Sequence, residues 1–315
     1  MVPESFSAYG FPLRRVAFDC FPALPARSVL VPERFRGGCS FGVTVLAARG
    51  LSRPSFGTNH RIGFEGYRVR MASFDDNVRA LTEPIGSLGG AWMLHPEVLG
   101  PCRDVGYPNG FAYYVTGRGG VLGDVDADVV SSAFGFFEPS LVRKLWEQGT
   151  AVESARSAAR RYGAACAQWG SGRYGSFIGV ERLAELAEVV VRGVDVSGLA
   201  LFAGWRNEPL PSDAGGRATL LLHMLRELRG SVHLLCVVAT GLTTRDAVLA
   251  SGGAEQATKF GWSGPFPDIV PSTKKEAEDL TDRVLIGLYR HAASEEQVDE
   301  LTKLVLGLQS HVTRG

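Results

Sequence analysis

Residues 221–236 read LLHMLRELRGSVHLLC, a dense set of ionisable groups enclosed by aliphatic residues on both sides. On one continuous helix, at about 100° per residue, His223, Arg226, Glu227 and His233 fall within an arc of about 120°. Leucine and valine side chains cover the opposite side of that helix. The polar face is either the wall of a pocket or a solvated surface, so the stretch predicts a helix and names a candidate site.

The composition limits the classes of protein that fit. At 315 residues and 45% apolar content the chain can bury a sizeable core, in one large domain or two. No apolar run approaches the roughly 20 residues of a membrane helix, so we expect no membrane span. The net charge of zero weakens the case for nucleic acid, although a local basic patch would still bind phosphates. Five scattered cysteines, without C-x-x-C or metal-ligand spacing, favour a reduced cytoplasmic protein with no metal site.

The charge changes sharply near residue 71. Residues 1–70 contain 10 Arg against 4 acids, a net charge of +6, so residues 71–315 carry −6. The first segment also holds six of the 16 prolines and shows no sustained helical or strand period. We expect residues 1–70 to be a basic extension of low order. A targeting segment or basic arm is the alternative to a linker or an over-extended reading frame.

From Asp75 onward the chain alternates short amphipathic runs with Gly, Pro and Asn, a pattern typical of a helical domain. We therefore predict an all-α fold, with a helical body over 71–240 and a C-terminal part over 241–315. Pro84 is expected to kink or split the first helix. Ser73 with Asp76 resembles a helix N-terminus, and two capping boxes are predicted, at Thr273 to Glu276 and at Ser294 to Gln297.

The last helix repeats apolar residues at spacings of three and four. This seam packs either against the core of the same chain or against a second copy in a homodimer. The seam consists of Val298, Leu301, Val305 and Leu308.

Residues 170–175 match the glycine pattern of a dinucleotide-binding loop, and Asp195 follows at a suitable distance. The match would make the chain an NAD(P)-binding oxidoreductase. That loop works only where a buried strand delivers the glycines to a helix N-terminus. The preceding residues 158–169 are rich in alanine and have the period of a helix, so we interpret the glycines as an interhelical turn.

His233 is the most informative residue of the opening stretch. It is flanked by aliphatic residues, so we expect it to be buried and to have a polar partner such as Glu227. Gly230 and Ser231 would allow an alternative geometry, in which one helix ends and the next begins. Either geometry produces a polar cluster within apolar walls, the usual form of a small-ligand site.

Five motifs of the chain form a specific set, namely HPEV at 95–98, YVTGRGGVLG at 114–123, AFGFFEP at 133–139, LRELRGSVH at 225–233 and FGWS at 260–263. Together they resemble a helix-turn-helix family of actinobacterial proteins, over about residues 75–312. The resemblance implies a mostly helical body, a winged-helix-like region after Gly241 and no defined reaction. This chain departs from the family pattern at Ser231, where an acid usually follows Arg-Gly.

The first functional hypothesis is a ligand-responsive, regulator-like protein with a small-molecule pocket, in which DNA contact is secondary. An arginine would pair an anionic group of the ligand, and Trp262 would offer an apolar face. The alternatives are an enzyme that uses His233 as acid or base beside Glu227, and a homodimer whose polar cluster fixes packing. No catalytic residue or cofactor is assigned. The candidate ligand-binding residues are Arg118, Arg226, Glu227, His233 and Trp262.

Overall fold

Every regular element is helical within residues 72–267 and 271–314, the ranges that the computed structural model describes. This confirms the all-α prediction, whereas the predicted extension 1–70 lies outside the described residues. The helices are α1 Phe74–Gly90, α2 Pro96–Leu99, α3 Cys102–Val105, α4 Gly110–Gly119, α5 Ala127–Phe134, α6 Pro139–Thr150, α7 Ala155–Tyr174, α8 Val180–Gly193, α9 Ala200–Arg206, α10 Ala214–Ala239, α11 Thr244–Lys259, α12 Pro271–Ala292 and α13 Glu295–Arg314, with a short 3₁₀ turn Gly120–Leu122 after α4.

Side-chain caps fix two helix starts that the sequence predicts. Ser73 Oγ accepts from the amide of Asp76 at 3.2 Å, and the Asp76 carboxylate accepts from the amide of Ser73 at 3.3 Å. Ser294 and Gln297 form the same reciprocal pair at the start of α13. The predicted box at Thr273 to Glu276 is wrong, because α12 already begins at Pro271 and Thr273 lies inside it. Pro84 lies within α1 without splitting it.

The opening stretch forms part of α10, a single helix of 26 residues. The alternative of a break at Gly230 and Ser231 is therefore wrong. Helices α1, α7, α8, α9 and α12 all pack against α10. Its aliphatic side, which includes Leu221, Leu225 and Leu228, is almost completely buried. Burial of apolar surface stabilises the fold by roughly 25 cal/mol per Å². Because these five helices pack against it, α10 is the central helix of the core.

Glycines allow α7 to approach α10 closely. A Cβ atom added to Gly170 would lie 2.0 Å from Thr219 Oγ1, so only glycine fits at this crossing. Gly170 and Gly172 are both inside α7, and Gly175 caps its end. The interpretation of these glycines as a turn is therefore wrong, and they do not form a strand-to-helix loop for a dinucleotide.

Residues after Gly241 form α11 to α13, and the described part of this region contains no strand. A winged helix needs paired strands for its wing, so the implied winged-helix packing is not found among the described residues. Instead, α12 and α13 pack against α1 and α8, within the same core. The predicted seam of α13 is buried at 0% exposure in all four residues, so it is a core contact within the chain.

Three pairs of consecutive helices are joined by four-residue turns that contain a glycine at positive φ. The first pair is α3 and α4, where residues 106–109 form the turn and Gly106 has φ +103°. Residues 135–138 join α5 to α6, and Gly135 has φ +60°; residues 240–243 join α10 to α11, and Gly241 has φ +74°. Such turns are typical of helix-turn-helix units.

In the described ranges no single helix is long and apolar enough to cross a membrane, although α10 and α11, bent by 111° at their junction, pass that test of length and composition together.

Candidate functional site

A cavity of about 60 Å³ lies beside the polar face of α10. Helix α4, the turn between α5 and α6, and α11 form its other walls, and we name it the α10 cavity. Four of the five predicted site residues line it, namely Arg118, Arg226, Glu227 and His233. The apolar part of the wall contains the aliphatic residues Ala133, Leu201, Leu234, Ala247 and Val248, and an aromatic part that consists of Tyr114, Phe134, Phe136, Phe137 and Phe260.

Arg118 and Glu227 form a buried ion pair across α4 and α10. Arg118 donates from Nε and Nη2 to the two Glu227 oxygens, each at 2.9 Å, in a bidentate geometry. The Arg118 guanidinium also donates to Tyr114 Oη at 3.2 Å and lies 4.4 Å from the centre of the Phe134 ring. Burial raises the pKa of Glu227, but the charge and hydrogen bonds of Arg118, together with the nearby His223 and Arg226, outweigh burial and lower that pKa to about 2. Glu227 is therefore ionised at neutral pH.

Arg226 approaches the same carboxylate from the next position on α10. Its Nη1 donates to Glu227 Oε1 at 3.2 Å, whereas its buried Nε has no hydrogen-bond partner in the described residues. A Cβ on Gly90 would lie 2.9 Å from that Nε, so the glycine of α1 leaves the room that Arg226 occupies. The cluster thus contains two guanidinium groups and one carboxylate.

His223 lies under this cluster and is completely buried. Its ring packs edge-on against Trp205 and Trp92, with centroids 4.5 and 5.0 Å away. Neither ring nitrogen has a hydrogen bond of acceptable geometry in the described part of the chain, although the Gly89 backbone is close enough to favour the charged form. Burial lowers the pKa of His223 to about 3, so the ring is neutral at neutral pH.

His233 is also buried, but its partner is on α12. Its Nδ1 lies 2.9 Å from Thr281 Oγ1, and that hydroxyl lies 2.7 Å from the carbonyl oxygen of Ala277. Because the carbonyl can only accept, the single hydroxyl proton is donated to Ala277, and Thr281 must accept from His233. This places the proton of the neutral ring on Nδ1. The predicted pairing of His233 with Glu227 is wrong, since the two side chains bind different partners.

The pKa values of His233 and Glu227 also do not suit the acid–base catalysis that the sequence suggested for this pair. Burial lowers the pKa of His233 to about 3, and Glu227 titrates near 2. A general acid or base works best with a pKa near the operating pH, so neither group is matched to that task at neutral pH. Among the described residues, no group of three or more His, Cys, Asp and Glu side chains is arranged to hold a metal ion.

Trp262 does not line the cavity as predicted. It packs behind the aromatic wall, with Phe136 and Phe137, and its Nε1 donates to the carbonyl oxygen of Phe136 at 2.9 Å. Trp262 therefore holds the turn between α5 and α6 in place. The predicted apolar face is supplied instead by the phenylalanines of that turn.

Several residues of the site are missing from the sequence prediction. Glu278 and Thr281 of α12 are about 50 positions from their partners Arg229 and His233, and no local pattern connects them. The aromatic wall did carry a signal, because three phenylalanines surround Gly135 in residues 134–137. Such density in a turn is unusual for a solvated loop.

Comparison with known proteins adds the family. No curated protein and no solved structure matches the chain. A family model described as "Helix-turn-helix family" matches residues 78–269, which include the turn between α5 and α6 and the turn between α10 and α11. Because the match covers more than half of the chain, the protein belongs to this helix-turn-helix family.

Proposed function

We propose that this protein is a ligand-responsive regulator that binds a small molecule in the α10 cavity and contacts DNA through the helix pair α5 and α6. One observation carries the proposal: Phe134 at the end of α5, and Phe136 and Phe137 in the turn to α6, form a wall of the cavity that contains the buried charges. A ligand in the cavity would therefore touch the element that sets the position of α6.

The outer face of α6 supports the DNA contact. In a helix-turn-helix unit, the second helix enters the major groove and its exposed residues reach the bases and phosphates. Ser140, Arg143 and Lys144 are exposed on α6, and Arg143 also pairs with Asp128 of α5. These side chains supply a hydroxyl and two positive charges at the start and middle of the helix.

Close packing would couple the two sites. A Cβ on Gly135 would lie 2.4 Å from Leu234 Cδ1, so the turn rests directly on α10. The Phe136 carbonyl is held by Trp262, and the Phe136 ring stacks on His233 with centroids 5.6 Å apart. A ligand that displaces this ring changes contacts on both α10 and the turn. Any such effect on DNA affinity must be matched by an equal effect of DNA on ligand affinity.

Native mass spectrometry of the full chain, purified from its natural host, tests the ligand. We expect an extra mass that is lost on denaturation. The matched control is Gly230→Leu, because Gly230 lines the cavity and has open space where a side chain would begin. This variant fills the cavity without changing a charge, so it should lack the extra mass. The same extra mass on the variant, or none on the wild type, would contradict a ligand in this cavity.

Fluorescence anisotropy tests the DNA contact, with duplexes selected from genomic fragments of the host. We expect binding that weakens steeply with salt, because each phosphate contact releases counterions. Arg143→Glu and Lys144→Glu should each weaken binding at least about tenfold. Arg160→Glu, at an exposed position on α7, is the matched control. Affinity that is flat between low and physiological salt would remove the DNA half of the proposal.

A further inference from the structure

The positive and negative charges of the α10 cavity do not sum to zero. Arg118 and Arg226 contribute two positive charges and Glu227 one negative charge, while both nearby histidines are neutral at neutral pH because burial lowers their pKa values. On the α12 side, Arg229 and Glu278 pair with each other at 2.9 Å. Lys274 adds further positive charge near His233. Of these charged groups, Arg118, Arg226 and Glu227 line the cavity, so its wall carries one more positive than negative charge.

Arg226 is the guanidinium of the cavity that has N–H donors without an acceptor in the described residues. Arg118 already uses Nε, Nη1 and Nη2 on Glu227 and Tyr114. Within the described residues the Arg226 guanidinium has one hydrogen bond, to Glu227, and its side chain is only 12% exposed. A guanidinium has five N–H donors, and an incompletely paired charge in such a place is costly. An anion beside Arg226 would lower that cost.

The apolar part of the cavity wall indicates what is attached to the anionic group of the ligand. Five aromatic rings, Leu234 and Val248 face the cavity, so an inorganic anion would leave most of the wall without a complementary surface. A short apolar group attached to the anionic group would fill it. The size is also limited, since a cavity of about 150 Å³ is what accommodates benzene in another protein. At about 60 Å³, this cavity suits a smaller group than an aromatic ring.

We infer that the α10 cavity binds a short-chain aliphatic carboxylate, whose carboxylate pairs with Arg226 and whose hydrocarbon part lies among the phenylalanines of the α5–α6 turn. This inference rests on the proposed function and names the class of its ligand. The ion pair of Arg118 and Glu227 holds the Arg226 guanidinium in the position where it binds the carboxylate of the ligand. Gly230 and Ser231 complete the cavity beside it.

Isothermal titration calorimetry of the full chain with isobutyrate and isobutyramide tests the charge requirement. The two probes have nearly the same shape, and only the acid is negative. We expect isobutyrate to bind at least about tenfold more tightly than isobutyramide. Arg226→Gln should remove that preference, whereas Arg226→Lys should keep part of it because the positive charge remains. Arg160→Gln on the exposed side of α7 should behave as the wild type.

The outcomes separate the inference from the proposed function. If the amide binds as tightly as the acid, or Arg226→Gln keeps the preference of the wild type, the carboxylate assignment fails while a ligand cavity remains. If benzoate binds more tightly than isobutyrate, the assignment to a short aliphatic chain fails. If acid, amide and benzoate all fail to bind at millimolar concentration, the inference is wrong, and an extra mass on protein from the host would still show a ligand of another class.

Discussion

The carboxylate of Glu227 has two buried arginines within hydrogen-bond distance, Arg118 at 2.9 Å and Arg226 at 3.2 Å. Its side chain is only 1% exposed, so water cannot replace these partners. Two arginines beside one carboxylate would be a poor way to stabilise a core, because replacing a buried ion pair with apolar residues is often neutral or stabilising. The arrangement therefore supports the anion site that we propose beside Arg226.

Removing the charge of Glu227 should destabilise the protein strongly. Glu227→Gln leaves two guanidinium groups buried without a counter-charge, which typically costs about 3–5 kcal/mol. Urea unfolding of the variant and the wild type at pH 7 measures this loss. Glu185→Gln is the matched control, because Glu185 is 64% exposed and pairs only with surface Arg182 in the described residues. The control should change stability by no more than about 1 kcal/mol. Equal effects of the two substitutions would contradict the role given to Glu227.

At the scale of elements, the crossing of α7 and α10 depends on one glycine of a pair. Gly170 faces Thr219 at the crossing, whereas Gly172, two residues further along α7, has no atom within 4 Å of where its Cβ would be. The two positions share a helix and a sequence motif and differ in their surroundings. They therefore separate the effect of packing from the effect of helix propensity.

Gly170→Ala and Gly172→Ala should have opposite effects on stability. The first forces α7 and α10 apart and should cost about 1–3 kcal/mol, as overpacked cores do. The second should stabilise the exposed part of α7 by up to about 1 kcal/mol, since alanine restricts the unfolded chain. Thermal and urea unfolding measure both changes. If Gly172→Ala were the more harmful substitution, the glycines would serve some purpose other than helix packing.

At the scale of the whole molecule, several buried groups make the stability of the fold decrease over the same acidic pH range. His223 and His233 have ordinary pKa values near 6.5 when unfolded, and burial lowers both to about 3 in the folded state. Between pH 6.5 and 3 the unfolded chain therefore binds more protons, so stability falls as the pH falls. Glu227 acts in the same direction below its ordinary pKa of 4.5, down to about 2.

Acidification from pH 7 to pH 5 should therefore destabilise the protein by about 2 kcal/mol for each of the two buried histidines. Urea unfolding at the two pH values measures the change. His223→Phe removes one titrating group from between Trp92 and Trp205 and should reduce the loss by about half. His311→Gln, on the exposed end of α13, is the control and should leave the loss unchanged. A loss that persists in full after His223→Phe would exclude His223 as its source.

The helices of this protein follow closely from its sequence. The caps at Ser73 and Ser294, the apolar period of α13 and the amphipathic runs between them are local signals, because helix hydrogen bonds connect residues only four apart. The same signals fail where tertiary packing decides. Pro84 is accommodated within α1, and Gly230 continues α10, since burial on several sides of α10 outweighs the roughly 1 kcal/mol that a glycine costs a helix.

The sequence by itself determined that Arg226, Glu227 and His233 share the polar face of α10, and it left open whether that face lines a pocket or is solvated. Only the tertiary structure decided their partners. Glu227 pairs with Arg118, 109 positions away, and His233 with Thr281, 48 positions away. Ion pairs and hydrogen bonds act over a few ångströms in space, and spacing along one helix cannot state which other helix supplies the opposite group.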